Sequence, residues 1–494
     1  MSSPRVFLIG LLAALAVAAS GCGGGGGTSG ASSESGASIV TGNALAFVSV
    51  DSDLDSSQWS KVDDLSRKFP GRDKALGDLK KRLAGENVEW DRDIDPALGP
   101  EVDFVVVRGP TLEKTAVAFL TRPDDPDKFR QLVKKLDATD ENRSTPTAVR
   151  EVNGWYVAAE NEAAIDRVLK GSGDALSDNG TFNDALGKLP DDALAKAYLN
   201  GPQLADLARD AAKEGSSTFD PDTVGLDKID FYAASLAAED AGLRLKGAVT
   251  GSGVSSFGGG DYTSKLLGGV PEDALAFLTF DGGGLTKRLR SLQSNQMFAQ
   301  ALRQVESATG VSFDSLLDLF ANEVGFYLRP GAGIPEVSLA LDPADRDTAL
   351  ATLDRLAGRV AALYGGRVSS GTQDGHEVKT IDLGQVAVHY AALDDKLLIT
   401  SGVTGIAEYG SDSQLTDSAD FKEAKAAAGL PDSNGGFLYL DLKTAIPLIE
   451  SFAGLAGERL PQDVSGNLRP LRSFVSWIGG SGDTRTFDAF LEIK

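Results

Sequence analysis

Two runs of alternate acids, Asp51-Asp53-Asp55 and Asp91-Asp93-Asp95, begin as calcium-binding loops do, since carboxylates two residues apart can converge on one hard cation. Neither continues as such a loop. The sixth position holds Ser56 or Pro96 where glycine is needed, and the twelfth holds Val62 or Val102 where glutamate is needed. Both runs read as solvated acidic loops, and no metal ligand is assigned. His376 and His389 are the two imidazoles of the chain, each a general base if a nucleophile stood beside it. They fall in the strand patterns HEVKTIDL and VAVHYAAL. A period of two sets Val386, Val388 and Tyr390 on one face and Ala387, His389 and Ala391 on the other. His389 therefore reads as a satisfied or half-exposed strand residue. Asp281-Gly282-Gly283-Gly284, between a strand and a helix, is the nearest approach to a phosphate cradle, but the corresponding Asp51-Ser52-Asp53-Leu54 has no glycine. The chain holds no Gly-x-Ser-x-Gly elbow, no Gly-x-x-x-x-Gly-Lys-Ser/Thr loop and no His-Glu-x-x-His. No catalytic or cofactor-binding residue and no cofactor is assigned. Paired carboxylates for glycoside hydrolysis stay open, because acids occur throughout the chain.

Composition narrows the classes further. The 494 residues carry a net charge of −23, with 42% hydrophobic and 24% charged residues, an ordinary globular balance long enough for two or three cores. One Cys excludes a disulfide framework, and two His exclude a His-rich metal site. The negative charge argues against nucleic acid, whose phosphates need clustered Lys and Arg.

That Cys has a particular place. Arg5 precedes an apolar run from Val6 to Ala19. About 14 residues span roughly 21 Å as helix, short of a hydrocarbon core of about 30 Å, so residues 1–21 read as a signal peptide rather than a membrane span. The run ends Ala19-Ser20-Gly21-Cys22, which resembles the lipobox of bacterial lipoproteins. The resemblance implies a diacylglycerol on the Cys22 thiol, cleavage before it, and an extracytoplasmic protein held to the membrane through that lipid. Residues 22–42 then read as the lipidated Cys and a Gly/Ser tether.

The rest of the chain matches itself. Ala44-Leu45-Ala46-Phe47 recurs as Ala274-Leu275-Ala276-Phe277, and Glu101-Val102-Asp103-Phe104 as Glu323-Val324-Gly325-Phe326. TAVAFLTRPDD (115–125) resembles PEVSLALDPAD (335–345), and Ala197-Tyr198-Leu199-Asn200 resembles Leu438-Tyr439-Leu440-Asp441, all in unbroken order. Thr181-Phe182 likewise pairs with Asp420-Phe421. The expected organisation is repeat unit one at 43–250, a Gly/Ser linker at 251–265 and repeat unit two at 266–494. Each unit should run strand, helices, two strands, helix, three strands, helix, strand, helix, two strands. Adjacent strands joined by short turns predict a mainly antiparallel sheet, hence α+β, with amphipathic helices on one face. Phe129, Leu132, Val133 and Leu136 form such a helical stripe. Phe104-Val105-Val106-Val107 is apolar on both faces, so its second face must meet the other unit, another layer or a cavity. The matched Tyr198 and Tyr439 read as core, with a ligand-facing aromatic pair as the sharper alternative.

The leader, the opening strand ALAFVSVD, the segment DIDPALGPEVDFVVV and the repeated ALAFLTFD resemble an uncharacterised bacterial family carrying the domain of unknown function numbered 3352. The resemblance implies an address and a class, but no activity and no site residues. The function expected is a non-catalytic binding or scaffolding module at the cell envelope, with an envelope protein as a partner. The alternatives are a carrier of a lipid or other apolar ligand, favoured by a continuous apolar cavity, and a carboxylate-dependent hydrolase, favoured by acids of raised pKa converging in a cleft.

Overall fold

A computed structural model describes residues 35–139, 145–213, 225–254, 260–293, 296–331, 334–384, 386–455, 457 and 460–494. Cys22, the expected signal peptide and the first part of the expected tether lie outside the described residues. Two compact units divide the chain. Unit one extends to Val254 and takes in Asp483–Asp488 and Ile493–Lys494, while unit two extends to Gly482 and takes in Ala489–Glu492.

Unit one runs β1 (Ala46–Asp51), α1 (Ser57–Ser66), α2 (Arg72–Gly85), β2 (Glu101–Val107), β3 (Ala116–Thr121), α3 (Pro126–Thr139), β4 (Ala148–Val152), β5 (Trp155–Ala159), α4 (Glu162–Val168), α5 (Gly180–Leu186), β6 (Ala195–Asn200), α6 (Gly201–Lys213), β7 (Phe231–Glu239) and β8 (Gly242–Thr250). Its strands lie in the order β4-β5-β3-β2-β1-β6-β7-β8, every neighbour antiparallel. Asn153-Gly154 joins β4 to β5 with both φ positive, at 52° and 81°, the backbone that a tight two-residue hairpin requires.

Unit two runs β9 (Ala276–Asp281), α7 (Gly282–Leu292), α8 (Gln296–Thr309), α9 (Phe313–Asp318), β10 (Glu323–Arg329), β11 (Glu336–Leu341), α10 (Arg346–Tyr364), β12 (Arg367–Gln373), β13 (His376–Asp382), β14 (Ala387–Leu393), β15 (Lys396–Thr400), α11 (Gly405–Glu408), α12 (Ala419–Ala428), β16 (Gly436–Asp441), α13 (Leu442–Leu455), α14 (Gln462–Leu468) and β17 (Leu471–Gly479), with β18 (Thr484–Ile493) closing the chain. Its sheet order is β12-β13-β14-β15-β11-β10-β9-β16-β17, again antiparallel. The three strands expected after the first sheet helix are thus two in unit one and four in unit two. The extra hairpin β12–β13 extends the sheet edge.

Registers coincide as well. Phe47 stands opposite Tyr198 and Phe277 opposite Tyr439; Phe104 faces Val48 and Phe326 faces Leu278; Asp51 faces Glu101 and Asp281 faces Glu323.

The fold is α+β and antiparallel, as expected, and in unit one helices cover both faces of the sheet. One face packs Phe104, Tyr156 and Val102 against Phe129 and Leu132 of α3. The other packs Phe47, Val105, Trp155 and Tyr198 against Ile165 of α4 and Phe182 of α5. The reason is the two-faced strand β2: alternation leaves apolar side chains on both of its sides, and each side must be withdrawn from water.

Residues 35–41, assigned to the tether by composition, are part of this fold. Gly36–Ser38 form a 3-10 turn, and Ala37, Ile39 and Val40 are buried in the core. Val40 and Thr41 make antiparallel bridges to Leu169 and Ala175. Three apolar side chains within five residues are enough to bury a stretch whose flanks are Gly and Ser.

Candidate functional site

The two acidic runs, about 40 residues apart, meet. Asp53 and Asp55 follow β1, Asp91 and Asp95 lie in the turn before β2, and Asp124 follows β3; all five line one pocket of about 630 Å³ in unit one. Leu76, Leu79 and Leu83 of α2, with Trp90 and Leu98, supply its apolar lining, and Lys80 also lines it. The three leucines are spaced i, i+3 and i+7, so they share one helix face. That face is only half-buried, and α2 buries no residue fully.

The alternation of the first run has a local cause. Asp51 Oδ1 accepts the Asp53 N–H at 3.0 Å and Asp53 Oδ1 accepts the Asp55 N–H at 3.0 Å, successive turns in which a carboxylate caps the backbone two residues on. Asp51 Oδ2 accepts the Ser56 hydroxyl at 2.6 Å, and burial pushes the Asp51 carboxyl up to about 7. In the second run Asp93 faces away from the pocket. It accepts from Arg92 at 2.9 Å, Lys135 at 2.8 Å and the Glu89 N–H at 2.9 Å. The Arg92 guanidinium above all holds its carboxyl well below the usual range. Asp95 moves the other way: burial, then the charges of Asp124, Asp91 and Asp55, raise it. None of the five pocket aspartates makes an ion pair among the described residues. No group of three His, Cys, Asp or Glu is placed to hold a metal ion among those residues either.

The corresponding turn of unit two differs. Its acids, Asp314 and Asp318, are clamped by Arg290 at 3.6 and 2.9 Å. Gly283, Leu285 and Ala344 stand where unit one has Asp53, Asp55 and Asp124.

The other residues singled out by sequence resolve into packing. Tyr198 meets Phe182 edge-on at 5.2 Å and Tyr439 meets Phe421 edge-on at 5.0 Å, so both are core. Asp281 caps α7 by accepting the Gly283 N–H at 3.1 Å. A side chain at Gly282 would overlap the Phe320 carbonyl, so close packing accounts for that glycine. His376 begins β13 opposite Gln373. His389 is 7% exposed, its Nδ1 2.9 Å from the Thr380 hydroxyl and its Nε2 without a partner among the described residues. It is thus buried and half-satisfied, and burial lowers its pKa.

One group escaped sequence reasoning. Lys196, Ser49 and Asp103 form a row across β6, β1 and β2, flanked by Glu101, and all four are buried. The signal available was the mismatch within the otherwise matched segments Glu101–Phe104 and Glu323–Phe326, Asp103 against Gly325.

A model of the family described as "Protein of unknown function (DUF3352)" matches residues 6–493. No curated protein matches the chain. Solved structures of TP0453 resemble part of it: crystal form I is 13% identical over 46% of this chain and 79% of that one, with a TM-score of 0.25. Crystal form IV is 11% identical over 47% and 94%, with a TM-score of 0.23.

Proposed function

The chain belongs to the DUF3352 family of proteins of unknown function, and we propose for it the role of a non-catalytic binding module of the cell envelope, anchored through a lipid on Cys22, whose ligand site is the acidic pocket of unit one. One observation supports this most: five aspartates with no ion pair among the described residues line one pocket together with Leu76, Leu79, Leu83 and Trp90. Carboxylates beside apolar surface suit a ligand that is cationic at one end and apolar at the other. An uncharged apolar ligand would leave those carboxylates desolvated and unpaired, which weighs against the apolar carrier.

Calorimetry with decyltrimethylammonium as probe tests the site. Binding should weaken as salt rises, and Asp95→Asn/Asp124→Asn should weaken it about tenfold or more. Binding unchanged in the double variant places the ligand elsewhere. Membrane fractionation tests the anchor: Cys22→Ser should release the protein or leave it uncleaved, and wild-type protein found soluble and unacylated ends that part of the reading.

A second reading rests on Asp95, a carboxyl raised by burial and by neighbouring acids within a cleft, as a general acid of a hydrolase requires. Turnover of a glycoside panel that Asp95→Asn abolishes would favour it over binding.

We further propose that the two units arose by duplication, which the shared strand order and registers support.

A further inference from the structure

Unit one has a buried acid where unit two has a gap filled by leucine. In unit two, Gly325 leaves room on β10, and the Leu266 side chain fills it: a Cβ on Gly325 would lie 3.1 Å from Leu266 Cδ1. Glu323 beside it is fully engaged. It accepts the Ser264 hydroxyl, the Thr279 hydroxyl at 2.7 Å, and the N–H groups of Lys265 at 2.7 Å and Leu266 at 3.2 Å. The segment before β9 is therefore pinned by an apolar plug and by a saturated carboxylate.

In unit one the sizes are exchanged. The strand carries Asp103, completely buried, and the covering segment carries Gly36, where any side chain would overlap the Asp103 carboxyl. The Gly36 N–H donates to Glu101 Oε1 at 3.4 Å. Both oxygens of Asp103, the Ser49 hydroxyl and the Trp155 indole N–H have no partner among the described residues.

We infer that residues 35–39 form a latch closed over the protonated Asp103–Glu101 pair and released when both carboxyls are ionised. A pair that keeps a proton costs little under a glycine backbone. Two anions there would carry the desolvation penalty of buried like charges. The charged groups around the pair are few. Lys196 comes from β6, opposite Ser49, and burial lowers its own pKa while Asp191, Asp192 and Glu101 oppose that. Arg122 follows β3, lies 5.1 Å over the Trp155 ring and favours the ionised Glu101. Asp51, on β1, adds a further acid. Gly36, Ala37 and Ser38 bring no charge, and β5 brings only Trp155. One ionised carboxyl is thus compensated and the second is not. Burial, and then Glu101, hold Asp103 well above the usual range.

The sign follows from proton binding. The closed latch binds a proton that the open one gives up near the ordinary carboxylate value. Closure is therefore strongest in acid and lost as pH rises through the raised value. Opening frees at most about 17 Å of chain between the core and the residues that precede it.

Hydrogen exchange on the full chain from pH 5 to 9, corrected for intrinsic rates, tests this. Protection of the 36–39 amides should fall about tenfold per pH unit between the ordinary carboxylate value and the raised one, and level off once Asp103 is ionised in the closed state as well, while that of 266–270 should not follow. Asp103→Asn should flatten the profile. So should Gly36→Leu/Asp103→Gly, which transplants the arrangement of unit two and guards against misfolding of the single variant. Equal pH slopes at 36–39 and 266–270 in the wild type, or an undiminished slope in either folded variant, overturns the inference.

Discussion

Unit one and unit two share a strand order, yet they use charge in opposite ways. Where unit one keeps Asp91 and Asp95 open to a pocket with three further acids, unit two neutralises Asp314 and Asp318 with Arg290. Where unit one buries Asp103 under Gly36, unit two buries Leu266 over Gly325. At Asp93 unit one uses a buried carboxylate bound by Arg92 and Lys135. The contrast separates two demands on one scaffold. The rings common to both cores, Phe47, Phe182 and Tyr198 in unit one and Phe277, Phe421 and Tyr439 in unit two, answer the need to exclude water. Polar positions beyond the shared Asp51–Glu101 and Asp281–Glu323 pairs are under no such common constraint, and they carry what distinguishes the units.

The largest effect should come from breaking what is shared. Phe182→Ala and Phe421→Ala each remove a buried ring set edge-on to a strand tyrosine, and each should cost about 3–5 kcal/mol. Denaturant melts of the two variants should agree to within about 1.5 kcal/mol. A wider gap would mean that the two cores are alike in outline but not in energetics.

A smaller effect sharpens the difference. His389 has no counterpart in unit one, is buried, and has its pKa lowered by burial. Unfolding lets it take up a proton near pH 6.5, so stability is lost as pH falls below that value. His389→Gln should cost about 1–2 kcal/mol at pH 8 through the Thr380 contact, and less at pH 5. Thermal melts across pH would read this as a flatter acid limb. A limb as steep as that of the wild type would show that His389 is not the group responsible. The latch runs in the opposite sense, losing hold as pH rises, so the two units should part company at the two ends of the pH range.

The smallest effect concerns the clamp. Arg290→Ala removes exposed ion pairs with Asp314 and Asp318, and should cost less than about 1 kcal/mol. It should nonetheless increase uptake of decyltrimethylammonium by unit two, measurable in an Asp95→Asn/Asp124→Asn background. No increase would mean that the apolar wall, and not the free acids, selects the ligand.

Much of the fold was legible because strand registers obey a period of two. Once ALAF at 44–47 is set against ALAF at 274–277, the faces of Phe47 and Phe277 and of Tyr198 and Tyr439 follow. The α3 stripe was legible for the same reason at a period of 3.6. The acidic runs were visible, but their meeting was not, because Asp53 and Asp95 are brought together only by the β1–β2 pairing and the loops at one end of it. Residues 35–41 were misjudged since a Gly/Ser-rich neighbourhood outweighed Ala37, Ile39 and Val40 in a reading by composition.

Local pattern thus determined the α+β class, the antiparallel sheet and the identity of the aromatic core, because side-chain alternation and hydrophobic burial act residue by residue along the chain. Tertiary structure alone decided which carboxylates stay solvated, which are clamped and which are buried with no partner among the described residues. An acid's ionisation depends on the desolvation and charges that distant segments bring to it. Asp103 and Asp53 are the same residue type in sequence, and only the layers folded over one of them make it a different chemical group.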